Sequence, residues 1–462
     1  MAATNTIQQL AERISGHLVQ PKDDQYDEAR GIWNGMIDRR PAAIAFCNHT
    51  SDVVQALRFA RENKLPFSIR CGGHGVSGNS LVDDGLVIDL SCMRSVVVDP
   101  QKRRAIVGGG AQLGDFDRET QVHGLAATAG VDPSTGVAGL TLGGGTGFLA
   151  RKLGLTIDSL VGAKVVLANG SIVRANATEH PDLFWALRGG GGNFGIITEF
   201  EFALHPIGPE VMSIQVFYPY KAAREVLRFY RDFMANAPEE VGCYVLLVPV
   251  PAVEPFPPEQ HGKTAVALAG CYAGDLEEGR RALEPLTSIA DPLLAVLEPV
   301  HYVDLQSSFK DAAPHGERYY WKSHFIEDIT EELLDLVVER TEALPGHLSS
   351  CFFEPQGGAV NRIDPKATAY PHRQALYSIS MSSGWSDPAD DHANIAWTRS
   401  FYDAVAPHST GGVYSNYMDF DEVDRVQSAY GENFDRLRRV KAEYDPNNVF
   451  RLNQNIKPAT GA

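Results

Sequence analysis

Ser68-Ile69-Arg70-Cys71-Gly72-Gly73-His74-Gly75-Val76-Ser77-Gly78-Asn79-Ser80 is the stretch on which the reading of this chain turns. It is a glycine-rich loop with one histidine near its centre. Glycine lets a backbone approach a phosphate closely and aim its N–H groups inward. A histidine inside such a loop lies next to whatever the loop holds. Immediately before it, residues 67–70 read as a strand. Further upstream residues 41–46 read as another, and Ser51 is placed to cap a helix whose apolar positions Val53, Val54, Leu57 and Ala60 share one face. The whole is a compact β-α-β unit with the glycine loop at its end.

Working outward, residues 86–90, 95–98 and 104–107 read as further strands, the last two joined by the turn Asp99-Pro100-Gln101-Lys102. Residues 160–167 and 171–174 flank Asn169-Gly170, a strong hairpin signal. A short helix over 180–187 and a strand over 196–203 close this part. The middle of the chain has a different texture. Strands are expected at 212–217, 243–250, 264–272, 319–325, 351–355 and 376–381. Helices are expected at 222–235, 276–289, 331–344 and 391–405. Clustered strands between helices predict an antiparallel sheet with helices on one face, within an α+β chain. A long polar helix is expected over 421–444. No repeat and no low-complexity segment is visible.

Two segments imitate a dinucleotide motif. Gly73-His74-Gly75-Val76-Ser77-Gly78 and Gly190-Gly191-Gly192-Asn193-Phe194-Gly195 both fit G-x-G-x-x-G. A Rossmann loop runs from a strand into a helix whose N-terminus holds the pyrophosphate. The first segment is followed by a strand, and the second runs from a helix into a strand, so neither context fits. Gly143-Gly144-Gly145-Thr146-Gly147 lacks the Gly-Lys-Ser/Thr ending of a P-loop. There is no His-Glu-x-x-His zinc helix, and no metal site is expected. Taken singly, each loop also reads as a tight turn; taken together they ask for an extended, phosphate-bearing ligand.

Composition narrows the class. The 462 residues are 44% hydrophobic and 21% charged, ordinary values for a globular enzyme. A net charge of −17 argues against nucleic-acid or anionic-membrane partners. No apolar run approaches the ~20 residues of a membrane span. The start of the chain lacks a basic and an apolar stretch, so no signal peptide is expected. The cysteines (Cys47, Cys71, Cys92, Cys243, Cys271, Cys351) form no CxxC pair, and buried free thiols in a reducing cytoplasm are expected.

Arg70-Cys71-Gly72-Gly73-His74 resembles the R-x-G-G-H loop of the vanillyl-alcohol-oxidase superfamily, with its PCMH-type FAD-binding domain, in the berberine-bridge-enzyme-like branch. The run from Gly136 to Gly147 (GVAGLTLGGGTG) is similar to that branch's second flavin loop. The run from Leu183 to Thr198 (LFWALRGGGGNFGIIT) resembles its F-W-A-x-R-G-G-G-x-N-F-G-I-V-T stretch. Tyr414-Ser415-Asn416-Tyr417 resembles its Y-x-N-Y motif. Asp445-Pro446-Asn447-Asn448-Val449-Phe450, with Asn453-Gln454-Asn455-Ile456, resembles its closing segment. The motifs follow the family's order over nearly the whole chain. The first half is most similar to bacterial hydroxynicotine-oxidase-type members.

The resemblance implies a two-part FAD-binding domain (1–204 and 416–462) and a substrate domain between (205–415). It implies an FAD-dependent oxidase that removes a hydride from an alcohol or amine carbon of a small molecule and reduces O2 to H2O2. The alternative is a flavin dehydrogenase of the same fold with a non-oxygen acceptor; a redox-silent binding protein is a third reading. His74 matches the histidine that bonds covalently to the flavin, the other reading being a loop histidine that only hydrogen-bonds. Asp132 stands where many bicovalent relatives carry a cysteine, so attachment through His74 only is expected. Asp132 also reads as an active-site residue or a turn residue before Pro133. Thr135 matches the position bordering oxygen's approach. Tyr417 matches the catalytic base, the other reading being packing at the domain seam; Tyr414 shares the site and Asn416 contacts cofactor or backbone. Arg70, Gly72, Gly73, Gly75, Asn79, Gly136, Gly139, Gly144, Gly145, Gly195, Ile197 and Asn453 complete the expected FAD contacts. Trp321, Phe353, Gln356 and Tyr377 are nominated for substrate and read equally as core or fold residues. Substrate identity and oligomeric state are not legible.

Overall fold

Ala43–Phe46 and Phe67–Arg70 lie parallel on either side of Leu86–Asp89, and His17–Val19 adds antiparallel at one edge. The computed structural model that shows this describes residues 2–460. Parallel strands need a crossover, and the helix Thr50–Glu62 supplies it, burying Val53, Ala56, Leu57 and Ala60. The helix starts one residue before Ser51, and Ser51 does not cap it. Asp52 does the tying instead: its carboxylate accepts from the amides of Ser15, Gly16 and Asn48 at 2.9–3.2 Å.

A second sheet is antiparallel, in the order Val96–Asp99, Arg104–Gly108, Ile196–Ala203, Leu160–Val166, Ile172–Asn176. Its last pair is the hairpin around Asn169-Gly170, where Gly170 takes φ +85°. The third sheet has seven antiparallel strands: Leu294–His301, Glu210–Pro219, Thr264–Tyr272, Val241–Pro249, Ser350–Pro355, Tyr377–Trp385 and Arg318–Ile326. Helices Ala223–Asn236, Glu331–Thr341 and Asp391–Val405 pack on one of its faces against Val245, Leu247, Phe353, Ile379 and Met381. The α+β expectation, with helices on one face of this sheet, matches.

Three details differ from the sequence reading. The edge strand Leu294–His301 was not expected, because it has no fully buried residue, carries Pro299 and alternates poorly. The helix expected to 289 ends at Leu283, where Pro285 turns the chain into a short 3-10 segment, Glu284–Thr287. The long helix expected over 421–444 is broken: Val426–Tyr430 and Phe434–Tyr444 are separated at Gly431, which takes φ +46°.

The C-terminal stretch packs into one core with residues 105–204. Lys441, fully buried, donates to Asp445 at 2.6 Å and to the carbonyls of Asn193 and Phe450 at 2.7 and 2.8 Å. Asn193 in turn bonds the backbone of Gln454 and Ile456. All six cysteines are free thiols; four are buried, while Cys71 is half-buried and Cys92 exposed, against expectation. Among the described residues no helix is long and apolar enough to cross a membrane, and no cluster of metal-ligating side chains occurs.

Candidate active site

A cavity of about 1230 Å³ lies between the glycine loops and the uncovered face of the seven-stranded sheet. The loop wall is made of backbone. Gly72 and Gly136 touch there: a Cβ on Gly72 would stand 2.3 Å from the Gly136 nitrogen, and one on Gly136 would stand 2.5 Å from Cys71 Sγ. This contact joins the first loop to the second. Gly75, Gly139 and Gly192 face open space, with nothing within 4 Å of an added Cβ. Gly73 takes φ +67°, a left-handed conformation that suits glycine. Among the described residues no hydrogen bond uses the amides of Gly73, His74 or Gly75. Asn453 donates to the Gly192 carbonyl at 2.9 Å, while its own buried carbonyl oxygen has no partner. Free amides and bare glycines form a cradle for an extended phosphate-bearing ligand.

His74 sits on this wall, stacked on Trp33 with ring centroids 5.2 Å apart. Its protonation follows from its neighbours. Ser134 has one hydroxyl proton, and it goes to Asp132 Oδ1 at 2.7 Å. The 2.7 Å contact between His74 Nε2 and Ser134 Oγ therefore has His74 donating. Burial holds the imidazole down at about 4, against the opposing pull of Asp132. The ring is neutral near pH 7, with its proton on Nε2 and a lone pair on Nδ1. Asp132 also accepts the Ser134 amide at 2.8 Å, the bond of an Asx turn. It is thus both a turn residue and the end of a His74–Ser134–Asp132 relay.

The other wall carries side chains. Alternate residues of a strand share a face, so Ser350, Phe352 and Glu354 point into the cavity while Cys351 and Phe353 point to the helices. Glu354 is 3% exposed. Tyr244 donates to its Oε1 at 2.9 Å, and Tyr417 to its Oε2 at 3.4 Å. Burial pushes its carboxyl up to about 7, and the two hydroxyls only soften that. Burial, then the nearby Glu354 carboxylate, raise the Tyr417 hydroxyl well above its ordinary range.

Tyr414 and Tyr417 are brought together by a 3-10 turn over Ser415–Tyr417 and not by the extended segment expected from sequence. Three residues per turn eclipse i and i+3, leaving the two rings 4.9 Å apart. The Tyr414 hydroxyl accepts from the Gly145 amide and from Asn416, both at 2.9 Å, and Asn416 also donates to the Leu140 carbonyl. Trp321 lies 5.8 Å from the Tyr417 ring and 5.1 Å from Trp33, joining the two walls.

The cavity gathers Tyr417, Tyr414, Asp132, His74, Gly72, Gly73, Gly75, Asn79, Thr135, Gly136, Gly139, Gly195, Ile197, Asn416, Asn453 and Trp321. It leaves out several residues nominated from sequence. Arg70 is turned away and ion-paired with Asp89, its partner on the neighbouring parallel strand. Gly144 and Gly145 pack against Tyr370 and Thr156. Phe353 and Tyr377 lie in the helix-side core. Gln356 is buried beside Thr146, to which it donates at 3.4 Å. Sequence reasoning missed Ser134, Tyr244 and Glu354. The only available signal for Glu354 was an acidic residue two places after Phe352 in an otherwise apolar strand.

The chain matches the FAD binding domain family over residues 41–176 and the family "Berberine and berberine like" over residues 413–457. It is 32% identical to the uncharacterized FAD-linked oxidoreductase YgaK of Bacillus subtilis, covering 96% of this chain and 98% of that protein. It is 31% identical to (R)-6-hydroxynicotine oxidase of Paenarthrobacter nicotinovorans, covering 96% and 97%. Among solved structures, a glucooligosaccharide oxidase from Acremonium strictum with a 6-S-cysteinyl, 8α-N1-histidyl FAD superimposes with a TM-score of 0.87 at 25% identity, covering 99% of this chain and all of that one.

Proposed function

The chain belongs to the berberine-bridge-enzyme-like FAD-linked oxidoreductases, and from that premise we propose that it is an oxidase that takes a hydride from an alcohol or amine carbon of a small molecule and delivers the electrons to O2 as H2O2. One observation carries this reading: His74 with its free Nδ1 and the Glu354–Tyr417 pair line the same cavity from two different walls. Bound FAD supplies the two-electron acceptor.

The chain's own residues do the rest. The amides of Gly73, His74 and Gly75 hold the pyrophosphate, and Asn453 offers its unpartnered oxygen to a donor on the cofactor. His74 Nδ1 is the point of covalent attachment. With Nε2–H donating to Ser134 and Ser134 to Asp132, the relay would keep Nδ1 unprotonated for a bound flavin and offer the Nε2 proton a path to Asp132. By the family resemblance Asp132 stands where many bicovalent relatives carry a cysteine, and a carboxylate forms no thioether, so His74 is the single tether. On the sheet wall, Tyr417 keeps its proton near neutral pH and passes a proton from substrate to Glu354 instead of acting as a base alone.

Two measurements test the reading. Acid-precipitated protein should stay yellow, and in His74→Ala all colour should move to the supernatant. Reduced enzyme mixed with aerated buffer should reoxidise within seconds and release peroxide; reoxidation over many minutes would instead support a dehydrogenase with another acceptor.

A further inference from the structure

Trp33 stands before the residues that match the FAD binding domain family, yet it is the residue stacked on His74. It is 1% exposed. Tyr319, near the start of the sheet's edge strand Arg318–Ile326, stacks on the same indole. The ring centroids lie 5.2 Å from Trp33 for His74 and 4.0 Å for Tyr319, with interplanar angles of 19° and 8°. Three near-parallel rings thus join the glycine loop to the seven-stranded sheet.

Hydrogen bonds of the same short segment tie both sides. Toward the loop, the Trp33 amide donates to the Gly73 carbonyl at 3.3 Å, and Asn34 Nδ2 donates to the Val76 carbonyl at 2.9 Å. Toward the sheet, Trp33 Nε1 donates to the Ala313 carbonyl at 2.9 Å, and the Trp33 carbonyl accepts from the Gly316 amide at 2.9 Å. The Asn34 side chain pairs with both backbone groups of Tyr319, at 2.9 and 3.0 Å, much as a residue of a neighbouring strand does. The Gly35 amide donates to the Glu317 carbonyl at 2.7 Å, and a Cβ on Gly35 would stand 2.1 Å from the Gly316 oxygen. Residues 33–35 are therefore a strap between the glycine loop and the sheet.

The strap completes the hold on His74. The bond from Nε2 to Ser134 fixes one corner of the imidazole. The last torsion of a histidine is a broad well, so one hydrogen bond leaves the plane of the ring free to rock. Rocking sweeps Nδ1 through an arc. A flat ring in contact removes that freedom, because aromatic pairs keep their contact only in a few relative orientations. Trp33 is itself held by Tyr319 and by the carbonyl of Ala313, so the plane of His74 depends on residues from the far side of the seam.

We propose that Trp33 is a positioning residue for flavin attachment: it sets the plane of His74, and, being held by Tyr319, it does so only once the sheet has docked against the loop. This rests on attachment through His74 and adds an order to it, docking first and bonding second. The net step balances. A bond forms between Nδ1 and the carbon of the flavin's C8 methyl group, while one methyl C–H bond and the Nε2–H bond break. The two protons and two electrons released convert O2, the oxidant, to H2O2.

The test uses full-length protein made without flavin and then mixed with FAD. Acid-stable colour is followed over time, and reversible FAD binding is read separately by quenching of flavin fluorescence. Trp33→Leu should slow the gain of acid-stable colour by about tenfold, the cost of a misaligned Nδ1, with reversible binding unchanged. Trp33→Phe keeps a flat ring and should restore most of the rate. Tyr319→Leu leaves Trp33 in the chain but removes its support, and should slow attachment as well. A variant-free arm guards against misfolding. In histidine-labelled unmodified protein, the His74 ring protons, assigned by their loss in His74→Ala, should resonate upfield of exposed histidines, under the ring current of Trp33. Normal attachment in Trp33→Leu or Tyr319→Leu, equal slowing in Trp33→Phe and Trp33→Leu, lost reversible binding in Trp33→Leu, or no upfield shift overturns the proposal. Unmodified protein that binds FAD but never gains acid-stable colour overturns attachment through His74 itself, and is told apart by an upfield shift that persists.

Discussion

On one wall of the cavity, Gly72 and Gly136 meet backbone to backbone, and Gly75, Gly139 and Gly192 leave the surface bare. On the other wall, Tyr244, Trp321 and Glu354 reach in from three strands far apart in the chain. The first wall works by what it lacks, so that main-chain amides and one histidine can approach a ligand. The second works by side chains that a sheet register brings to one face. The loop wall should therefore tolerate no added atoms, and the sheet wall no change of charge.

The largest effect belongs to the loop wall's single reactive atom. His74→Ala should remove all covalently held flavin, read as fluorescence of the denatured protein on a gel. Asp132→Asn and Ser134→Ala leave His74 in place but break its relay. They should slow covalent incorporation by roughly 10²-fold, measured as the rate at which apoprotein acquires acid-stable colour. Normal incorporation in both variants would dissolve the relay and leave Asp132 as a turn residue only.

Next comes the contact that joins the two loops. Gly136 has φ −72°, so alanine is conformationally allowed there, but its Cβ would stand 2.5 Å from Cys71 Sγ and from the Gly72 nitrogen. Gly136→Ala should cost about 1–3 kcal/mol, seen as a lower Tm, and should weaken cofactor retention. An unchanged Tm would show that the loops are not held by close approach.

The sheet wall makes a smaller prediction of opposite sign. Glu354 has a carboxyl raised from the ordinary 4.5 to about 7 by burial. A raised folded-state value favours the native state at low pH, and that contribution is lost as pH rises from 4.5 through about 7. Ligand-free Glu354→Gln should therefore have a higher Tm than the parent at pH 8, by a few degrees, with the gap closing toward pH 5. A lower Tm at pH 8 would mean that the charged carboxylate is stabilised in place. The smallest effect is expected for Tyr377→Phe. Its ring lies among the helix-side residues, so kcat/KM should stay within about twofold of the parent.

The same contrast explains what the sequence made legible. The strand Phe67–Arg70 and the strand Thr264–Tyr272 were read with the bounds observed, because apolar patterning and flanking glycines are local. His74, Asp132, Tyr414 and Tyr417 were found through motif order, and the cavity does gather them. Arg70 was misplaced because its position in the motif says nothing of Asp89, which meets it across a parallel pair. Phe353 was nominated where Glu354, one residue on, faces the cavity. A shift of one residue reverses the face of a strand, and no periodicity in a strand buried on both sides shows which face is which.

By itself the sequence determined the glycine loops, the histidine among them and the α+β order of elements, since backbone freedom and patterning act over a few residues. Only the tertiary structure decided which nitrogen of His74 is free, because the Ser134 proton that settles it lies sixty residues away in the chain. It also decided that Glu354 is buried among tyrosines without a cation. Charge compensation is a property of everything that surrounds a group in space, and the chain writes those neighbours down in no particular order.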